Sequence, residues 1–79
     1  MTHVPHGLSE EFPADLEKIQ HLKQNDAHFG RLSEEYEAIN KDIHLAETHV
    51  KPTDEAHEQE MRKKRMVLKD EIGRIIRES

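Results

Sequence analysis

The stretch FGRLSEEYEAINKDIHLAETHV, Phe29 to Val50, decides the fold. Phe29, Leu32, Tyr36, Ile39, Ile43, Ala46 and Val50 recur at alternating steps of three and four. At 3.6 residues per turn those positions make one apolar helix face, and a narrow face of that kind asks for a facing helix. Glu34, Glu35, Glu37, Lys41 and Asp42 keep the rest of the surface polar. Beyond His49, Val50, Lys51, Pro52 and Thr53 the same spacing returns in Met61, Leu68, Ile72 and Ile75. Pro52 stops the first helix because its ring cannot continue the hydrogen-bond ladder. Thr53 or Asp54 caps the second, with Glu55 near its positive end and Arg74 and Arg77 near its negative end.

The chain therefore reads as all-α: an antiparallel two-helix coiled-coil hairpin with a short N-terminal helical segment, associating into an oligomer. Residues 1–8 are expected to be a mobile N-terminus, and 9–79 a single domain. Helix is expected over about 14–48, a turn at 49–53 and helix over 54–77. Folding about residue 52 sets Ile43 opposite Met61, Ile39 opposite Arg65, Tyr36 opposite Leu68, Leu32 opposite Ile72 and Phe29 opposite Ile75. Asp42 then falls near Lys64, and Glu35 near Glu71. Those apolar residues are the expected hairpin core, with Gly73 a weak point in the second helix.

Upstream, Ser9 is a possible cap for a short turn, and Pro13 suits the first position of a new helix. The phase breaks at 23–26, where Asn25 or Asp26 could cap a fresh helix and kink the chain. Leu16, Ile19 and Leu22 share one face but lie beyond the reach of the second helix. Either residues 8–24 fold back, or Phe12, Leu16, Ile19 and Leu22 form an exposed strip for another chain. The second option is the expected interaction surface, its partner a second copy or an unidentified protein.

Seventy-nine residues, 33% hydrophobic and 37% charged, can bury only a small core. Association with another chain is the natural remedy. A net charge of −5 argues against generic attraction to nucleic acid or anionic membrane. Cysteine is absent, which excludes disulfide and thiolate chemistry. Residues 1–8 lack the basic start and apolar run of a secretory signal, and no stretch is long enough to span a bilayer. A soluble, cytoplasmic protein without membrane contact is expected.

The matching of Glu11, Phe12 and Pro13; Leu22 and Lys23; Asp26, Ala27, His28 and Phe29; and Leu32, Tyr36, Ile43 and Glu47 carries a resemblance. Most specific are Arg62, Lys63, Lys64 and Arg65 followed by Leu68, Lys69, Asp70, Glu71 and Ile72. On these residues the chain resembles the YdcH family, short bacterial proteins with no established biochemical activity. Met61 stands where that family more often has Leu, a swap that conserves volume. The resemblance implies a helical hairpin and assigns no functional residue.

Three constellations invite chemistry. Arg62, Lys63, Lys64, Arg65 and Lys69 are possible phosphate contacts of a nucleic-acid accessory protein. The four consecutive cations spread around the helix, however, and no aromatic residue is interleaved to stack on bases. Arg65 itself occupies a seam position, where a polar residue can fix register or oligomeric state. Its stem can lie on the stripe while its guanidinium reaches Glu35, Asp42 or solvent. Of the seven histidines, His21 and His28 sit about 10 Å apart along a helix axis, too far for one ion. No metal, cofactor or catalytic residue is expected: there is no plausible triad, no glycine-rich phosphate loop and no deep cleft. The sequence favours a non-catalytic protein–protein interaction module or scaffold, with the nucleic-acid reading as its rival.

Overall fold

Asp26 divides the N-terminal half of the protein. In the computed structural model, which describes residues 6–48 and 54–79, four α-helices follow one another. They are α1 (Leu8–Glu11), α2 (Leu16–Asn25), α3 (Ala27–Glu47) and α4 (Glu55–Glu78), with a 3₁₀ turn at Pro13–Asp15 between α1 and α2. Asp26 is extended, so the helix breaks there, and its carboxylate accepts the Phe29 N–H at 3.1 Å to start α3. Asp54 does the same for α4, accepting the His57 N–H at 2.7 Å. Pro13 opens the 3₁₀ turn, where its missing N–H leaves nothing unpaired. Ser9 caps nothing; Gly7 precedes α1 instead. The turn expected at 49–53 and the first five residues lie outside the described residues.

Helices α3 and α4 pack against each other as the expected all-α hairpin. The molecule's longest dimension is 38 Å, about the ~36 Å of α4 alone, so the hairpin sets its length. The N-terminal segment folds back along it. Helix α2 packs on α3, and the Lys18 ammonium donates to the Ile76 and Ser79 carbonyls at the end of α4. A cation there satisfies carbonyls that the helix leaves orphaned. The interaction strip expected from the sequence is thereby corrected. Ile19 (4% exposed) and Leu22 (8%) belong to the same core as Phe29, Leu32, Tyr36, Leu68, Ile72 and Ile76, and Phe12 packs against it. Only Leu16, 47% exposed, remains at the surface. Leu8, at the end of the stretch expected to be mobile, is buried in that core.

This third layer also rotates the buried faces. Ile76 is buried and Ile75 only partly so; Asn40 is buried beside a partly buried Ile39. A helix with a neighbour on two sides needs a wider buried arc than a coiled-coil seam provides. On α4 the arc widens toward Gly73, over which the Phe12 ring lies: a Cβ at Gly73 would sit 3.5 Å from that ring. On α3 it widens toward α2 through Ser33, which is buried with its hydroxyl on the Gly30 carbonyl.

Candidate interaction surfaces

A helix of ten residues is about 15 Å long, so α2 covers only one half of the hairpin. Around the boundary of that cover lies a group of polar contacts. Glu11 is held between two side chains: its carboxylate meets the Lys69 ammonium at 3.0 Å and the His6 ring at 2.8 Å. Lys69 first, and His6 after it, hold the Glu11 carboxyl below the ordinary carboxylate value. The buried Tyr36 phenol donates to the His6 carbonyl at 2.6 Å. Burial, reinforced by the Glu11 charge, pushes that phenol up to about 12. His6 sits at a φ of 65°, a left-handed conformation uncommon for residues other than glycine. The contacts to Glu11 and Tyr36 hold it there.

Next along α4, the Arg65 guanidinium donates to the Asn40 side-chain oxygen at 2.8 Å. Asn40 is 1% exposed, so this is a polar tie inside the hairpin seam. It replaces the Glu35 or Asp42 contact expected for Arg65. Arg62 bridges Glu47 at 3.0 Å and Glu58 at 2.8 Å. Arg62, Arg65 and Lys69 share one groove with Glu11, Tyr36, His6 and Met66, while Lys63 and Lys64 do not line it, so the four consecutive cations spread around the helix. Arg62, Arg65 and Lys69 each have an internal partner. Lys63 and Lys64 are exposed elsewhere on the helix.

In the half that α2 does not reach, a second groove runs between α3 and α4. Ala38, Ile39 and Met61 supply its apolar lining, and Glu35, Asp42, Glu60, His57 and Lys64 its polar lining. Asp42 and Lys64 thus share it as the register anticipated. Ile43 and Ala46 are buried in this half too. Among the described residues no group of three or more His, Asp or Glu side chains could hold a metal ion. Nor is any helix there long and apolar enough to cross a membrane.

Several important residues escaped the sequence reading. Leu8 and Ile76 are core positions just outside the periodic stripe. Met66 and Val67, 58% and 63% exposed, lie off the phase of Leu68 and Ile72. Two adjacent apolar residues on the wrong side of an amphipathic helix were the available signal. Glu11 entered the sequence reading only through the family resemblance, because its contacts depend on the N-terminal segment folding back.

The fold defines a small all-α helical-hairpin protein buttressed by its own N-terminal segment. Residues 29–76, more than half of the chain and nearly all of α3 and α4, match the model of DUF465, described as a protein of unknown function. The chain belongs to that family. No curated protein and no solved structure matches it.

Proposed function

We propose that the protein is a non-catalytic interaction module that associates with a second copy, or with another helical protein, by helix packing. The observation that carries this reading is the exposure of two large apolar side chains of α4, Met66 and Val67, in so polar a chain. Exposed apolar side chains that are adjacent, next to cations, suit a contact surface better than solvent. The finer likeness to the YdcH family and a cytoplasmic location are part of the same proposal. The specificity role of Arg65 belongs to it as well: its tie to buried Asn40 favours one register of α3 against α4.

The rival reading is phosphate binding through Arg62, Lys63, Lys64, Arg65 and Lys69. In its favour, Arg62, Arg65 and Lys69 line one groove. Against it, Glu47, Glu58 and Glu11 already neutralise Arg62 and Lys69. A pull-down of the tagged protein from its host at 50 and 200 mM salt, with and without nuclease, separates the two readings, because phosphate contacts weaken steeply over about that range. A stoichiometric protein partner surviving both treatments supports the interaction module. Recovery that collapses with nuclease sinks it in favour of nucleic acid.

A further inference from the structure

We propose that α1 and α2 exchange between two copies of the chain, swinging about Asp26 so that each N-terminal segment covers the α3–α4 face of the other copy. The inference takes a second copy as the partner in the interaction-module reading, and rests on that reading. It adds the segment that is exchanged and the hinge that releases it.

One residue separates α2 from α3, and its own backbone bonds are already helical. The Asp26 N–H donates to the Leu22 carbonyl at 2.8 Å, and the Asp26 carbonyl accepts the Gly30 N–H at 2.9 Å. Both are the pairings of an α-helix. Asp26 leaves the helical path in its torsions, with φ −128° and ψ 104°, where a helix has about −63° and −42°. The Phe29 N–H, which a continuous helix gives to the Asn25 carbonyl, goes to the Asp26 carboxylate instead. Rotation at Asp26, chiefly in ψ, would join α2 and α3 into one helix over 16–47.

The buried side chains fit that straight helix. Ile19, Leu22, Phe29, Ser33, Tyr36 and Asn40 are buried. With Asp26 between Leu22 and Phe29, they alternate steps of three and four without a break. A link that only turned the chain back would have no need to keep one heptad phase across it.

The occupant follows from contacts the chain already makes. Opening alone would expose Leu8, Ile19 and Leu22, so the vacated α3–α4 face needs a replacement cover. The same segment of a second copy fits it by construction. It would bring Glu11 to Lys69, Lys18 to the Ile76 and Ser79 carbonyls, and the His6 carbonyl to Tyr36. Exchange of an identical element is a low-cost route to a symmetric dimer. With so short a hinge the two straight helices would pass side by side at the two-fold axis, bringing the Asp26 carboxylates together. Their repulsion and the loss of the Phe29 cap favour the closed form in dilute solution. In both forms α2 covers the same residues.

Hinge variants and cross-linking test the exchange. Asp26→Ala removes both the cap and the charge, and should favour the straight hinge. Ala27→Pro should lock the closed one, since proline fits the first position of α3, holds residue 26 extended and cannot sit inside a continuous helix. The chain has no cysteine. Lys18→Cys and Ser79→Cys, both at exposed positions, can therefore be placed on separate copies. The two are mixed, unfolded, refolded together at high concentration and treated with a bifunctional maleimide about as long as a lysine side chain. The dimer fraction should show the introduced cysteines linked across copies. Asp26→Ala should strengthen dimerisation by roughly tenfold or more in sedimentation equilibrium, because each dimer straightens two hinges. Ala27→Pro should stay monomeric, with wild-type helical content by circular dichroism and no link between copies. Dimers that form without the link overturn the exchange and leave the interaction-module reading standing. An Asp26→Ala chain that is monomeric at every concentration overturns the exchange, and the pull-down then judges the interaction-module reading by itself. An Ala27→Pro chain that dimerises and links like wild type overturns Asp26 as the hinge.

Discussion

The two halves of the hairpin share one sequence pattern and differ in what covers it. In the half beside the chain ends, α1 and α2 add a third layer, and Leu8, Ile19, Leu22, Phe29, Leu32, Tyr36, Leu68, Ile72 and Ile76 form a continuous core. In the half toward residues 48 and 54, Ile43 and Ala46 are buried, but Ile39 and Met61 remain partly open along a groove. The comparison teaches that a heptad-like stripe specifies a partner helix without specifying how many. One half finds two partners within the chain, and the other finds one and leaves a groove open.

Truncating side chains in each half should break the comparison most visibly. Phe29→Ala in the covered half should cost about 3–5 kcal/mol, enough to unfold much of so small a domain. Met61→Ala in the open half should cost only about 1 kcal/mol, because little of its area leaves water. Thermal melts of the two variants decide this. Equal losses would mean that the halves are equally packed.

The Arg65–Asn40 tie lies where the halves meet. Arg65→Ala should cost about 1–3 kcal/mol in urea denaturation, because it takes a charge-assisted partner from a buried amide. A neutral result would remove Arg65 as a register-setting residue.

A smaller effect attaches to the anchoring of the N-terminal segment, and it should be lost at both ends of the pH scale. Tyr36→Phe should cost about 1 kcal/mol by removing the hydrogen bond to the His6 carbonyl. The folded phenol sits at about 12 against an ordinary 10.0. Its contribution is complete below about 10 and should be lost as pH rises through about 12. The Glu11 carboxyl is depressed in the folded state, so its contribution is present above the ordinary value of 4.5 and lost as pH falls through the depressed value. Melting temperatures across pH should therefore fall at both extremes. Tyr36→Phe should flatten the alkaline limb and Glu11→Gln the acid limb. Unchanged limbs in these variants would remove both contacts from the account.

The smallest expected effect is a gain. A Cβ at Gly73 would meet the Phe12 ring at 3.5 Å and the tip of Arg77 at 3.4 Å, ordinary or near-ordinary contact distances. Gly73→Ala should then stabilise α4 by about 0.5–1 kcal/mol through helix propensity. A destabilised variant would mean that Phe12 seats more tightly on α4 than these distances allow.

How much was legible in the sequence follows the same division. The hairpin was readable because Phe29 to Ala46 and Met61 to Ile75 carry period and phase together, and Asp26 and Asp54 are good cap chemistry in the right places. The return of the N-terminal segment was not decided, since Leu16, Ile19 and Leu22 suit an internal neighbour and an external one equally well. That ambiguity left the burial of Ile19 and Leu22 undecided. It also hid the rotation that buries Ile76 ahead of Ile75 and Asn40 ahead of Ile39, because the width of a buried arc depends on the number of neighbours. Arg65 stood out as a polar residue in the seam, but its partner came from the rotated face of α3.

Hydrogen exchange of backbone amides in dilute solution tests the central claim, that the N-terminal segment completes the core of its own chain. Amides around Ile19 and Leu22 in α2 should be protected nearly as long as those around Leu68 and Ile72 in α4, independently of protein concentration, because they open with the same core. Rapid exchange in α2 while α3 and α4 stay protected would contradict it, as would α2 protection that grows with concentration. The strip of Leu16, Ile19 and Leu22 would then belong to a contact between chains.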